Sequence, residues 1–248
     1  MNLAVIIPAA NEEATIGKLL ADTTQVLCML RDLGHIDDYH IFVVVDHASK
    51  DKTREIVEEY AHVGAVATLV WAPENRCLAD AYLAGLRAAA AGKYWPPRRE
   101  NGFDLFIEMD AGFSHLPQDI HQFVTAAGRL NGCEWICAYR PKPYHWRRRL
   151  VSKLGTLVAR HVLGLPLKDA TSGFRGYTRR AVECLLDAGV SCHGKFYQTE
   201  TAAILYRTYG MPLEVPISYN DSGNVSVDDL LDAALGTLQL LMLKRWLG

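Results

Sequence analysis

No apolar run in the 248 residues approaches the roughly 18–20 residues that a membrane-crossing helix needs. The opening stretch lacks a basic start and reaches Pro8 too soon for a secretory signal, so export is not expected. Six cysteines are too few and too scattered for a disulfide framework, and Cys133 and Cys137 are followed by no second ligand pair at zinc spacing. Unpaired thiols in a reducing cytoplasm are the expectation. Ten prolines and nineteen glycines in no repeating pattern exclude collagen-like and low-complexity chains. Several chemical signatures are also missing. No G-x-G-x-x-G follows the first apolar run, and G-x-x-x-x-G-K-[ST], G-x-S-x-G and H-E-x-x-H occur nowhere. Dinucleotide, P-loop, serine-hydrolase and zinc-protease chemistries are thereby set aside.

What is present is a globular composition. Half of the residues are hydrophobic and 22% are charged, which supplies a sizeable core and excludes disorder as the main state. Net charge is −2 but unevenly spread. Arg140 to Arg180 holds eleven Lys and Arg against the single acid Asp169, or +10, which leaves −12 on the rest. This asymmetry points to an anionic partner such as a phosphate, a lipid surface or nucleic acid; a solvated helix face is the plainer alternative.

Buried-strand patterns lie at Leu3–Ile7, His40–Val45, Ala65–Trp71, Asp104–Met109 and Trp135–Ala138, each apolar and rich in branched residues. Between them, helical spacing predicts helices over Ala14–Leu30, Lys52–His62, Leu78–Ala91 and Pro117–Arg129. This alternation predicts an α/β fold with a mostly parallel sheet and right-handed crossovers. Ligands then belong at the carboxyl ends of the strands, in the loops at Pro8–Glu13, Asp46–Asp51, Pro73–Arg76 and Asp110–Ser114. The second half predicts a basic helix over Arg147–Leu163, a Gly/Ser/Thr loop over Gly164–Gly176, and helices over Arg179–Asp187 and Thr199–Tyr209. A strand over Pro212–Tyr219 and an amphipathic helix over Val227–Leu247 complete it. No linker or repeat divides the chain, so one domain over 1–248 is expected.

Val5-Ile-Ile-Pro-Ala-Ala-Asn-Glu-Glu13, a strand that runs into Pro and then Asn-Glu-Glu, resembles the opening of family 2 glycosyltransferases, and the segments that follow resemble in particular the polyprenol-phosphate mannose synthase branch. Val44-Val-Asp-His-Ala-Ser-Lys-Asp-Lys-Thr53 is similar to its Asp-Asp-Gly-Ser-x-Asp-x-Thr, and Glu108-Met-Asp-Ala-Gly-Phe-Ser-His115 to its Asp-Ala-Asp-Leu-Ser-His. Asp169-Ala-Thr-Ser-Gly-Phe-Arg-Gly-Tyr177, Tyr197-Gln-Thr-Glu200 and Leu213-Glu-Val-Pro-Ile217 follow in the branch's order.

The resemblance implies a single-domain GT-A fold. Residues 1–138 would form the nucleotide-sugar half, 139–226 the acceptor half and 227–248 a C-terminal amphipathic helix. It implies inverting transfer of mannose or another hexose from a nucleotide-sugar to a polyprenyl phosphate. Pro8, Asn11, Glu12, Asp46, Asp110 and Arg175 are then expected at the donor, with Asp110, Gln198 and Glu200 as the catalytic group. Arg140, Arg147 and Arg149 are expected at the acceptor phosphate. A place on the cytoplasmic face of a membrane, as a peripheral protein, follows from the same likeness, and a homo-oligomer is compatible with it.

Three departures fall on the donor side. The family's second strand-end aspartate is Gly112, which offers no side-chain oxygen to Mg²⁺ or Mn²⁺, so a divalent cation on Asp110 is expected to be weakly held. His47 stands at the second position of the family's Asp-Asp, as a loop residue or as a ligand for Mn²⁺ or Zn²⁺. Ser222 stands where an arginine is usual. Ser114 and His115 either cap the helix near Pro117 or touch substrate. The C-terminal helix packs on the core, on a second subunit, or in the plane of a membrane with Trp246 at the interface. Two further readings stay open: a transferase with a small-molecule or nucleic-acid acceptor, nucleic acid being the less expected partner, and an inactive homologue kept as a binding subunit.

Overall fold

A computed structural model describes residues 1–64, 66–92, 102–141, 156–157, 159–161, 163–191 and 196–220. The first half alternates strand and helix: β1 (Asn2–Pro8), α1 (Ile16–Asp32), β2 (Asp38–Val45), α2 (Thr53–Gly64), β3 (Ala67–Trp71), α3 (Leu78–Ala90) and β4 (Leu105–Glu108). A 3₁₀ turn at Pro117–Asp119 leads into α4 (Ile120–Ala127) and then β5 (Trp135–Tyr139). Strand β6 (Arg175–Thr178), α5 (Arg179–Ala188), α6 (Tyr197–Tyr209) and β7 (Leu213–Pro216) follow.

The seven strands form one mixed sheet in the order β3-β2-β1-β4-β6-β5-β7. Strands β3, β2, β1 and β4 are mutually parallel, and β5 is parallel to β7. Strand β6 runs antiparallel between β4 and β5. The expected single-domain α/β fold with a mostly parallel sheet is what is seen. The antiparallel β6 is a finding, because Gly164–Gly176 reads as a loop and Arg-Gly-Tyr-Thr is too short and too polar to announce a central strand.

Burial on both faces explains the unbroken apolar strands. In β1, Leu3, Val5 and Ile7 enter the core beneath α1, α2 and α4, while Ala4 and Ile6 enter the core beneath α3, α5 and α6. Gly85 sets the height of α3 over the sheet. A Cβ there would lie 2.4 Å from Ile6 Cγ2 and 2.9 Å from Val44 Cγ2, so only glycine allows this approach. With α3 seated on β1 and β2, its Tyr82 reaches Asp110 beyond the end of β4.

The basic helix expected over Arg147–Leu163 and the amphipathic helix over Val227–Leu247 lie largely or wholly outside the described residues, as do Ser222, Arg147 and Arg149. Among the described residues no helix is long and apolar enough to cross a membrane.

Candidate functional site

A cleft of about 400 Å³ opens at the carboxyl ends of the parallel strands. Its walls come from all four loops that the strand pattern singles out: Pro8 and Glu12 after β1, Asp46 and His47 after β2, Asn75 to Leu78 before α3, and Asp110 to Ser114 after β4. The first two loops are stitched together by short polar bonds. Asn11, held at φ +57°, donates its N–H to Ser49 Oγ at 3.1 Å and its Nδ2 to the Ala48 carbonyl at 3.1 Å, and its Oδ1 accepts from Lys50 N at 2.9 Å. Asparagine tolerates that left-handed backbone better than most residues. Glu12 N donates to Thr53 Oγ1 and Glu13 N to Asp51 Oδ2, both within 3 Å. Asp46 Oδ1 accepts from Ala48 N at 2.9 Å and closes its own turn. His47 Nδ1 lies 2.6 Å from the Pro73 carbonyl and ties the second loop to the third.

Asp110 is held from both its side chain and its backbone. Tyr82, on the buried face of α3, donates its hydroxyl to Asp110 Oδ1 at 2.7 Å. Asp110 N donates to His115 Nδ1 at 3.1 Å, so Nδ1 is the unprotonated ring nitrogen. His115 in turn is buried and stacked on Phe174, with ring centres 4.8 Å apart. The turn between them forces Phe113 to φ +55°, a costly conformation for an aromatic residue and one that concentrates at functional sites. Gly173 completes the packing. A Cβ at that position would sit 3.2 Å from Gln198 Nε2, 3.5 Å from Asp110 Oδ1 and 3.5 Å from His115 Cε1. Glycine therefore lets the Ser172–Phe174 segment pass between α6 and the end of β4.

Behind Asp110 lies a buried acid. Glu108 is fully enclosed and accepts from Tyr177 at 2.9 Å and from Tyr197 at 2.5 Å. Burial pushes its carboxyl up to about 7, against the opposing pull of the two tyrosine bonds and the Arg175 charge. Tyr197 stacks on Tyr82 at 5.1 Å with ring planes 4° apart, so the Glu108 cluster abuts the residue that holds Asp110. Burial and the nearby Asp110 and Glu108 charges hold the Tyr82 phenol protonated far above its ordinary range.

Pro8, Glu12, Asp46 and Asp110 line the cleft together, and Asn11 serves as the stitch beneath it. Gln198 Nε2 and Asp110 Oδ1 both flank Gly173. Three expected residues stand elsewhere. Arg175 is wholly buried on β6, donating to the carbonyls of Ser172, Ala170 and Gln198 and to Thr201 Oγ1. Its antiparallel register opposite Glu108 turns it inward, so it braces the Ser172 loop against α6 rather than meeting a donor. Arg140 forks onto Asp169 at 2.7 and 3.0 Å, bonds Thr171 Oγ1 at 2.9 Å and lies over the Tyr219 ring. Burial opposes the Asp169 charge, yet the guanidinium overrides it and holds Asp169 below its ordinary value. Arg140 is thus committed to a buried ion pair instead of an open phosphate site. Glu200 is buried in the first turn of α6, where both carboxylate oxygens accept from Ser191 N. It anchors the Gly189–Ser191 segment and does not line the cleft. The helix expected at Pro117 carries no side-chain cap, and His115 braces Asp110 instead.

Sequence reasoning placed Asn75 and Arg76 in a ligand-edge loop without giving them a role, and missed Tyr82. A buried tyrosine must find a partner for its hydroxyl, and the inward spacing of Tyr82 with Ala79, Leu83 and Leu86 was the available signal.

The donor set does not fit a clamped divalent cation. Asp110 spends one oxygen on Tyr82, and Gly112 offers none. A Cβ on Gly112 would stand 3.1 Å from Glu12 Oε1, so the space where a longer side chain would begin faces another carboxylate. Among the described residues no group of three or more His, Cys, Asp or Glu could hold a metal ion.

The chain is similar over 98% of its length to crystal structures of glucosyl-3-phosphoglycerate synthase from Mycobacterium tuberculosis. The form in complex with uridine diphosphate has a TM-score of 0.70, 18% identity and 79% of its chain covered. That likeness establishes the GT-A fold, and other crystals of the same enzyme contain Mn²⁺ or Mg²⁺. In sequence the chain is 28% identical over 222 residues to the polyprenol monophosphomannose synthase of Mycolicibacterium smegmatis, covering 88% of this chain and 77% of that one. It is 29% identical over 225 residues to the undecaprenyl-phosphate mannosyltransferase of Micrococcus luteus, covering 88% and 84%. The sequence pattern of glycosyl transferase family 2 matches residues 4–186, which contain all four loops of the cleft and the strands that carry them, and the chain belongs to that family.

Proposed function

We propose that this glycosyltransferase moves mannose or a related hexose from a nucleotide-sugar to a polyprenyl phosphate, with inversion at the anomeric carbon. The observation that carries the reading is the gathering of Glu12, Asp46 and Asp110 in one cleft, in a chain similar to a polyprenol monophosphomannose synthase and an undecaprenyl-phosphate mannosyltransferase.

In the reaction, an acceptor phosphate oxygen bonds to the anomeric carbon. The bond from that carbon to the nucleoside diphosphate breaks, and its electron pair leaves with the diphosphate. The acceptor is already an anion, so no base need take a proton from it, and positioning with charge neutralisation supplies the catalysis. Asp46 and Glu12 accept hydroxyl hydrogens of the nucleoside. Asp110, held by Tyr82 and His115, orients the transferred sugar from its second carboxylate oxygen, and Gln198 flanks Gly173 together with it. Arg147 and Arg149, outside the described residues, supply the acceptor-phosphate charge near a membrane surface.

The test is transfer of radiolabelled sugar from a panel of GDP- and UDP-sugars to a short-chain polyprenyl phosphate in detergent. Label in the organic phase with one donor is expected. Label only in the aqueous or nucleic-acid fraction would replace the acceptor, and no transfer with any donor would favour a binding subunit that has lost catalysis.

A further inference from the structure

Asn75 opens the loop between β3 and α3. It is 6% exposed, it lines the cleft, and its Nδ2 finds no hydrogen-bond partner among the described residues. A buried amide left in this state costs about 1–3 kcal/mol, and such groups in native proteins call for an explanation. The adjoining residues supply one. Cys77, extended at φ −156°, precedes α3 and makes no side-chain cap bond to its first turn, and the start of this thirteen-residue helix at Leu78 lines the cleft. Arg76 lines the same wall. Its side chain is 79% exposed and keeps only a loose 3.7 Å contact with Asp80, whose carboxylate also takes the Arg76 N–H.

The cleft is therefore divided by charge. Glu12, Asp46 and Asp110 stand on the β1, β2 and β4 loops, while the wall from Asn75 to Leu78 presents an amide, a guanidinium and a helix N-terminus. Donors collected in this way at a helix start attract an oxyanion. The β4 loop, having glycine at position 112, cannot clamp that anion through a metal held by two carboxylates.

We propose that the Asn75–Leu78 wall is the diphosphate cradle of this enzyme, in which Asn75 Nδ2 donates to a phosphate oxygen of the nucleoside diphosphate and Arg76 neutralises it. The assignment rests on the transferase reading above and adds the residues that replace the metal clamp. It also accounts for the orphaned amide, because the ligand oxygen supplies the partner that the folded chain withholds.

The experiment measures affinity for GDP, UDP, the matching nucleosides and inorganic pyrophosphate in EDTA, by calorimetry, on the full chain. Asn75→Leu, Asn75→Asp and Arg76→Gln are compared with the unaltered protein, and ligand-free melting temperatures are recorded. Both Asn75 variants are expected to weaken diphosphate and pyrophosphate binding about tenfold or more, a loss of about 1.4 kcal/mol. Nucleoside affinity should be unchanged. Asn75→Leu should melt no lower than the unaltered protein, because it removes an unsatisfied donor; a structural asparagine would lower it. Diphosphate binding equal to that of the unaltered protein in all variants would overturn the cradle, as would equal loss for nucleoside and diphosphate. If the unaltered protein binds the diphosphates only with a divalent cation present, the cradle is also wrong, while the transferase reading survives. Failure of the unaltered protein to bind any nucleotide in either condition would overturn both.

Discussion

Tyr82 donates to Asp110 Oδ1 across 2.7 Å, and this bond joins the second turn of α3 to the end of β4 at the mouth of the cleft. It fixes one carboxylate oxygen, while the other lies 3.6 Å from His115 Nδ1 in a side chain that is 40% exposed to the cleft. Tyr82→Phe keeps the ring stacked on Tyr197 and removes only the hydroxyl. Turnover is expected to fall between about tenfold and a hundredfold through misplacement of the carboxylate, at a stability cost of about 1–2 kcal/mol. Steady-state kinetics and urea unfolding check it. A variant with unaltered kcat would remove Tyr82 from the positioning of Asp110.

Asp110→Asn retains the size of the side chain and can still accept from Tyr82, yet it removes the charge. Sugar transfer is expected to drop at least about a hundredfold. Melting temperature should change little, because the substitution leaves Tyr82 with a partner. Undiminished transfer would take Asp110 out of the mechanism.

Glu108 makes stability depend on pH. Its carboxyl titrates at about 7 in the folded chain, against 4.5 as its ordinary value, with burial as the main cause. The folded state therefore holds a proton that the unfolded state gives up. This contribution is complete below the unfolded value and is lost as pH rises through the folded one. Glu108 is thus expected to lower the melting temperature between about pH 5 and about pH 8. Glu108→Gln, neutral throughout, should flatten that slope, and an equal slope in the variant would show that another group sets it.

Arg175→Met deletes a buried guanidinium and strands the carbonyls of Ala170, Ser172 and Gln198. A loss of about 3–5 kcal/mol is expected, of the size seen when a buried charged network is broken. Equilibrium unfolding measures it. A change within about 0.5 kcal/mol, typical of a surface site, would contradict the bracing role.

Gly112→Asp restores the family's second carboxylate beside Glu12. Without nucleotide, Mn²⁺ should raise the melting temperature of this variant more than that of the unaltered protein, since a cation relieves the new repulsion between like charges. An equal Mn²⁺ shift in the two proteins would show that the native residues already hold the ion.

Much of this was legible along the chain. The apolar strands β1, β2 and β4 are continuous because both of their faces are covered, and that continuity announces a parallel sheet without any knowledge of its partners. Their carboxyl ends then locate Glu12, Asp46 and Asp110, because in such sheets ligands collect at that edge. The motifs that begin at Val5, Val44 and Glu108 carried the family for the same reason, each running onto one of these loops.

Other facts depended on neighbours distant in sequence. Nothing in Arg-Gly-Tyr-Thr says that β6 runs antiparallel beside β4, and it is this register that sets Arg175 opposite Glu108 and points it inward. Arg140 reads as an open cation until the fold brings Asp169, twenty-nine residues later, within 2.7 Å. Asn75 and Tyr82 carry no motif, and their roles arise because Gly85 lets α3 settle close on β1 and β2. Local pattern determined the alternating strands and helices of the first half, since periodicity and burial act over a few residues. Which charge is paired and which donor is left waiting was decided only by packing, where side chains far apart in sequence compete for the same partner.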